Sequence, residues 1–295
     1  MSKRAQIQRH LAVLNEISGI MGAMKNISLM ETHKLARFLA HQHRVLAGIE
    51  AAAADFLSHH LEIGYRTESP TSGVVVAVGS QRGFCGDFNE SLAHAVREHW
   101  RQADRKPTGV LVVGRRLAAK LSGEFHVTAS FDGASVAEEV QPVLQRLMNA
   151  LRELQARGGQ TSLLTVLVFA HQEGEDQVCA RSILPVTIPE RACPPFPYPP
   201  LLNLAPLTFF AELARHYLWA QMHDVFYSSL MAENRRRLQH MEGAMQRMEE
   251  NASELQRKYN VLRQEEITEE IEVIMLSSDA LRRRAPPGST ASNEK

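Results

Sequence analysis

Between Leu207 and Leu281 the chain carries no proline and a single glycine, Gly243. Within that stretch Leu238, Met241, Met245, Met248, Ala252, Leu255, Tyr259 and Leu262 recur at alternating intervals of three and four. This recurrence lays one narrow apolar stripe along a helix and marks a coiled-coil seam. At 1.5 Å per residue a helix of that span is about 110 Å long, far more than the diameter of the domain that the middle of the chain can build.

A seam of this length needs a partner helix, and the other long helical pattern lies at the opposite end of the chain. From Ala5 to about Leu57 turn residues are scarce, and Ile7, Leu11, Leu14, Ile17, Met21, Met24 and Ile27 keep helical spacing. The economical arrangement is an antiparallel pair of the two chain ends. Gly19, Gly22 and Gly48 each weaken the first helix by about 1 kcal/mol relative to alanine, which implies close approach by a neighbour or limited stability without one. Methionines are frequent in both patterns, and their flexible thioethers suit a packed rod.

The middle reads differently. The β-branched runs GVVVAVG, GVLVVG, SLLTVLVFA and ARSILPVTI are separated by stretches of helical character over 87–102 and 134–157, which predicts a mostly parallel sheet covered by helices. The proline-rich PERACPPFPYPPLLNLAP excludes helix and central strand and marks a boundary. The expected fold is α/β: a long antiparallel coiled coil of N- and C-terminal helices joined to a central Rossmann-like head. Its expected divisions are a helix over 1–60, the head over 72–190, a helix over 206–281 and an unstructured tail over 282–295.

At 295 residues and 44% hydrophobic content the chain can fill a packed core. Thirty-three basic side chains balance thirty-three acidic ones, which argues against nucleic acid as a partner. The apolar runs are too short to cross a bilayer, and the first residues do not form a signal-peptide core, so a soluble, cytoplasmic chain is expected. Cys85, Cys179 and Cys193 are widely spaced, without a CxxC pair, so reduced thiols are expected and neither a disulfide framework nor a zinc site.

The stretch most open to a chemical reading is SQRGFCGDFNE, residues 80–90, where the first strand turns toward a helix. It contains neither GxxxxGK[ST] nor GxGxxG, so no lysine is placed to reach a nucleotide phosphate. A nucleophilic Cys85 would need a base from a distance, such as His126 or His171. The competing structural reading is a small buried thiol in a tight turn, with Gly83 and Gly86 supplying backbone freedom and Asp87 capping the next helix. His41, His43, His59 and His60 lack the spacing of a helical metal pair and read as surface residues. The run Arg235, Arg236 and Arg237 and the acids Glu265, Glu266, Glu269 and Glu270 read as solvated faces, with a charged partner as the alternative.

Three motifs resemble those of the γ subunit of F-type rotary ATP synthases. NEISGIMGAMKNIS is similar to the N-terminal motif of that family, with Asn15, Ile17, Ala23 and Met24 in register. Ser80, Arg82, Gly83, Cys85, Gly86 and Asn89 match its S-D-R-G-L-C-G-x-x-N turn, and Tyr259, Asn260, Arg263, Gln264, Ile267, Thr268 and Glu270 match its C-terminal pattern. The resemblance implies a non-catalytic rotor stalk without a cofactor of its own, placed within a ring of α and β subunits. Its further partners would be an ε subunit and a membrane c-ring, with no homo-oligomer. The implied location is peripheral, on the cytoplasmic face of a bacterial inner membrane. Carried over by position, Met24, Arg263, Gln264 and Thr268 would contact β, while Arg82, Gly83, Cys85, Gly86 and Asn89 would form a structural turn.

Ser18 and Gly22 stand where the family has lysines, and Val273, Ser277 and Ser278 replace small residues. These departures resemble the alternative, often sodium-coupled, bacterial enzymes. Two other classes remain open: a nucleotide-binding α/β enzyme, and a coiled-coil scaffold carrying an α/β head.

Overall fold

The computed structural model describes residues 3–60, 72–103, 107–125, 127–157, 164–172, 177–186 and 198–284. Two helices frame the chain, α1 (Lys3–His59) and α5 (Pro206–Arg284). Pro206 occupies the first turn of α5, where its missing N–H leaves no helical bond unmade. The helix runs three residues past the expected end at Leu281. Between them lie β1 (Ser72–Val78), α2 (Phe88–Gln102), β2 (Gly109–Val113), α3 (Arg115–Leu121), β3 (Val127–Phe131), a 3-10 turn (Ala137–Glu139), α4 (Val140–Arg157), β4 (Leu164–His171) and β5 (Val178–Leu184).

The chain divides into two compact units. One comprises residues 1–23 and 242–295, the other residues 24–241. In the first, helices α1 and α5 run antiparallel: the Arg4 guanidinium pairs with Glu266 at 2.5 Å and lies over the Tyr259 ring, and a Cβ at Gly22 would sit 3.9 Å from Met245. On α5 the seam from Met245 to Leu262 is at least half-buried at its three-and-four positions, while the residues between those positions are exposed.

On α1 the buried row departs from the expected one. Ile17 and Ile27 are 41% and 55% exposed, whereas Ser18 is half-buried and Ser28 is 2% exposed. The inward row therefore keeps the strict interval of four and three through Leu11, Leu14, Ser18 and Met21, as a helix does when it stays in register with a partner. Close approach explains Gly22 alone: nothing lies within 4 Å of a Cβ at Gly19 or Gly48.

The second unit holds a five-stranded sheet of order β3-β2-β1-β4-β5, parallel except for the antiparallel edge strand β5. Strand β1 alternates its side chains between two cores. Val74, Val76 and Val78 face α1, α4 and α5 through Leu35, Leu39, Leu144, Leu147, Phe226 and Met231. Val75 and Ala77 face α2 and α3 through Phe88, Leu92, Leu117 and Leu121. Burial of this kind on both faces is what continuous apolar strands require. Helix α3 and strand β3 were not singled out from the sequence. They are seven and five residues long, too short for a periodic signal to stand out.

The part of the proline-rich segment over 189–197 and most of the expected tail, 285–295, lie outside the described residues. Residues 198–205, by contrast, are described and form neither helix nor strand.

Candidate functional site

The strand order reverses direction between β1 and β4, and in open α/β sheets the crevice at such a point, beyond the carboxyl ends of the strands, is where ligands bind. In this chain the turn of residues 80–90 leaves β1 at that point. The chemistry of the candidate site is decided by what its polar groups already hold.

The amide of Ser80 donates to Asn89 Oδ1 at 3.0 Å, and Asn89 Nδ2 donates to Ser80 Oγ at 2.7 Å. The Ser80 hydroxyl in turn donates to the Arg82 carbonyl at 2.8 Å. Gln81 Oε1 accepts from the amides of Gly133 at 2.8 Å and Arg115 at 3.3 Å, and Gln81 Nε2 donates to Asp132 at 3.1 Å. The amide of Arg116 donates to the Ser80 carbonyl at 3.2 Å, and that of Gly114 to the Phe131 carbonyl at 2.8 Å. The Ser80 amide and the amides that face it from Gly114, Arg115, Arg116 and Gly133 are thus bonded within the protein.

The backbone is tight at the same place. A Cβ at Gly79 would lie 2.4 Å from Leu117 Cβ, and Gly114, at φ +99°, would place one 2.5 Å from the Gly79 carbonyl oxygen. Gly86 takes the left-handed conformation at φ +59° as expected, but Gly83 does not; within this turn the other residue with positive φ is Phe84, at +62°. Asp87 does not cap α2, since its side chain makes no bond to the helix amides. Its carboxylate instead pairs with Arg236 on α5.

Cys85 is 3% exposed, and its nearest polar contact is Ser80 Oγ at 3.4 Å. Burial pushes its thiol pKa up, which opposes formation of a thiolate nucleophile. His171, at the end of β4, stacks on Phe88 with ring centroids 4.2 Å apart, and its Nε2 lies 3.0 Å from the Phe88 carbonyl and 3.3 Å from Ser91 Oγ. It is thereby tied to the start of α2. His126 lies outside the described residues.

Helix α5 covers the crevice. Met222, Phe226 and Met231 pack on one face of the sheet, while Ala232 belongs to the core of the opposite face, so the helix passes across the strand ends. Ser229 Oγ donates to the Val78 carbonyl at 3.4 Å. Arg237, expected on a solvated face, is 5% exposed: its Nη1 donates to Asn234 Oδ1 at 2.9 Å and its Nε to the Gly83 carbonyl at 3.3 Å, and it pairs with the buried Glu233. Complete burial raises the Glu233 pKa to about 7, against the opposing pull of Arg237. The residues matched to the glycine-containing motif are therefore grouped into one turn gripping α5.

The other sequence-derived candidates lie on the two long helices. Arg263, Gln264 and Thr268 are exposed on α5 in the first unit, near the Arg4–Glu266 pair, and the Thr268 hydroxyl donates to the Gln264 carbonyl at 2.9 Å. Met24 is half-buried on α1 in the second unit. His41 and His43 are exposed, whereas His59 and His60 are half-buried, with His60 stacked on Phe56 at 4.6 Å. Sequence reasoning missed Asp224, whose buried carboxylate on α5 pairs with Arg181 of β5 at 2.8 Å and lies 3.0 Å from His43 Nε2. It also missed Glu31 of α1, which accepts from the Ala137 amide at 2.6 Å. Neither carries a local motif; the partners of both are distant in the chain.

A cavity of about 430 Å³, lined by residues of α1 and α5 that include Val45, Ile49, Leu213 and Trp219, contains no residue from the strand ends. Among the described residues no cluster of His, Cys, Asp or Glu could hold a metal, and no helix is long and apolar enough to cross a membrane.

Comparison with known proteins bears on the whole length. A family model described as ATP synthase matches residues 3–281. The ATP synthase gamma chain of Clostridium perfringens is 21% identical over 93% of this chain and 97% of its own. That of Bdellovibrio bacteriovorus is 23% identical over 96% of this chain and 100% of its own. A chain of the Euglena gracilis mitochondrial ATP synthase, solved with OSCP, F1 and c-ring, shares the fold with a TM-score of 0.60 at 11% identity, covering 99% of both chains. One from the central stalk and c-ring of the Tetrahymena thermophila mitochondrial enzyme gives 0.54 at 19% identity, covering 76% of this chain and 99% of that one.

Proposed function

We propose a role for this chain from one premise, that it belongs to the ATP synthase family of γ chains: it is the central rotor stalk of an F-type ATP synthase. The observation that carries this reading is the family match across residues 3–281, which takes in α1, the head and nearly all of α5. Its partners are the α and β subunits of the catalytic ring, the ε subunit and the membrane c-ring.

The stalk couples ion flow through the membrane ring to conformational cycling of β. A rod that presents a different side to each β subunit as it turns favours a different state of each catalytic site, and contacts that differ between states are what shift their populations. Nucleotide chemistry then belongs to β. A crevice crossed by α5, and a turn whose Cys85 thiol is buried, support a non-catalytic role for this chain. In a bacterium the complex would hold the chain at the cytoplasmic face of the inner membrane, as a peripheral subunit.

Arg263, Gln264 and Thr268 would make polar contacts to β, on an exposed stretch of α5 that also carries Ile267 and Ile271. Met24 would lie beside the β lever. Such contacts have to break at every step, which suits exposed polar groups on a stiff helix.

The test is coexpression with α and β subunits of the same cell. Copurification of a complex in which ATP hydrolysis turns this chain supports the reading. A lone chain that hydrolyses ATP, or one that self-associates through the 238–262 seam and ignores α and β, would overturn it.

A further inference from the structure

The turn that leaves β1 holds α5 at several points, on both exposed and buried sides. Asp87, outside, pairs with Arg236. Inside, Arg237 donates to the Gly83 carbonyl and to Asn234 Oδ1 and pairs with Glu233. The Val78 carbonyl, at the end of the strand, accepts from Ser229. Gly86 comes close enough to His240 that a Cβ would lie 3.9 Å from the ring. The points of attachment on α5 run from Ser229 to His240, about three turns of helix, and adjacent arginines reach different parts of one loop.

Apolar packing resists separation of a helix from a sheet, yet leaves rotation about the helix axis comparatively soft, because one methyl group can replace another against the same surface. Directional bonds to fixed carbonyls and carboxylates resist that rotation. The loop side of the contact is itself stiff, since Ser80 and Asn89 bond each other and Gln81 ties the loop to Gly133 and Arg115.

We propose that Arg236 and Arg237, through Asp87 and the Gly83 carbonyl and with Glu233 holding the Arg237 guanidinium, are positioning residues that clamp α5 against twisting within the head. The proposal rests on the rotor reading, because only a chain under torque needs such a clamp. Asn89 and Ser80 act one step further out, by fixing the loop that the arginines grip. The helix held in this way is the one that continues to Arg263, Gln264 and Thr268.

The experiment uses the assembled complex of this chain with its α and β subunits, fixed through the ring, with a bead attached to the head. Thermal angular fluctuation of the bead reports torsional stiffness, since variance is inverse to stiffness. In Arg237→Gln, and separately in Asp87→Asn, angular variance should rise about twofold or more, and in the exposed Asp87→Asn variant the melting temperature of the complex should change little. Arg236→Lys keeps the charge facing Asp87 and should restore near wild-type variance, which Arg236→Gln should not.

Should Arg237→Gln fail to assemble, the Asp87→Asn and Arg236→Gln variants of the outer pair, in which the Asp87 carboxylate is exposed, decide. Wild-type variance in both, within complexes that assemble and rotate, overturns the clamp and leaves the rotor reading standing. A wild-type chain that enters no complex with α and β removes the rotor reading itself and the clamp with it.

Discussion

Asn89 holds Ser80 from two sides, accepting from its backbone amide at 3.0 Å and donating to its hydroxyl at 2.7 Å. Both residues are buried, so neither bond has water as a substitute. Asn89→Ala leaves the Ser80 amide without a partner and should destabilise the chain by about 2 kcal/mol or more. Chemical denaturation of the purified protein measures it; a loss below about 0.5 kcal/mol would show that the turn does not depend on this pair.

Two glycines should respond to alanine with opposite sign. At Gly79 the new methyl meets Leu117 Cβ at 2.4 Å and Asn89 Oδ1 at 2.9 Å, and making room should cost about 1–3 kcal/mol. At Gly19, inside α1 with nothing within 4 Å, the same change should stabilise by about 0.5–1 kcal/mol. Thermal midpoints of the two variants, one lower and one higher than wild type, check the pair.

Glu233 makes stability depend on pH. Its carboxyl faces Arg237 on its own helix and Arg82 and Cys85 on the turn, and burial raises its pKa to about 7 from the ordinary 4.5. The folded protein therefore keeps a proton that the unfolded chain releases, so this group's contribution is full below about pH 4.5 and is lost as pH rises through 7. Relative to Glu233→Gln, which cannot titrate, wild type should lose about 2–3 kcal/mol between pH 5 and pH 8. Denaturation of both proteins across that range reads the difference, and parallel curves would place Glu233 in an ionised state throughout.

Arg263→Ala combined with Gln264→Ala should lower the ATPase turnover of the assembled complex without changing the melting of the head. The two side chains are exposed and make no contact that holds the fold. Unchanged turnover would remove them from the β interface.

Much of the architecture was legible along the chain because it is written in short-range pattern. Heptad spacing announces the α5 seam through Leu255, Tyr259 and Leu262, and the unbroken apolar run GVVVAVG announces a buried strand. The turn motif pointed to the loop around Cys85 with no knowledge of what lies over it. These signals are local: each depends on residues within a few turns or one strand.

What only the tertiary structure decided is which of several apolar or charged candidates faces inward. Ile17 and Ser18 compete for one place on α1, and register with α5 selects the serine. Asp87 is the right residue to cap α2, yet it bonds Arg236, 149 residues away. Arg237 sits in a run of three arginines that looks solvated until α5 crosses the ends of β1 and β4 and encloses it. Packing between segments far apart in sequence sets these outcomes, because burial and charge partners belong to a place in space, and periodicity along a chain specifies only the helix or strand that is brought there.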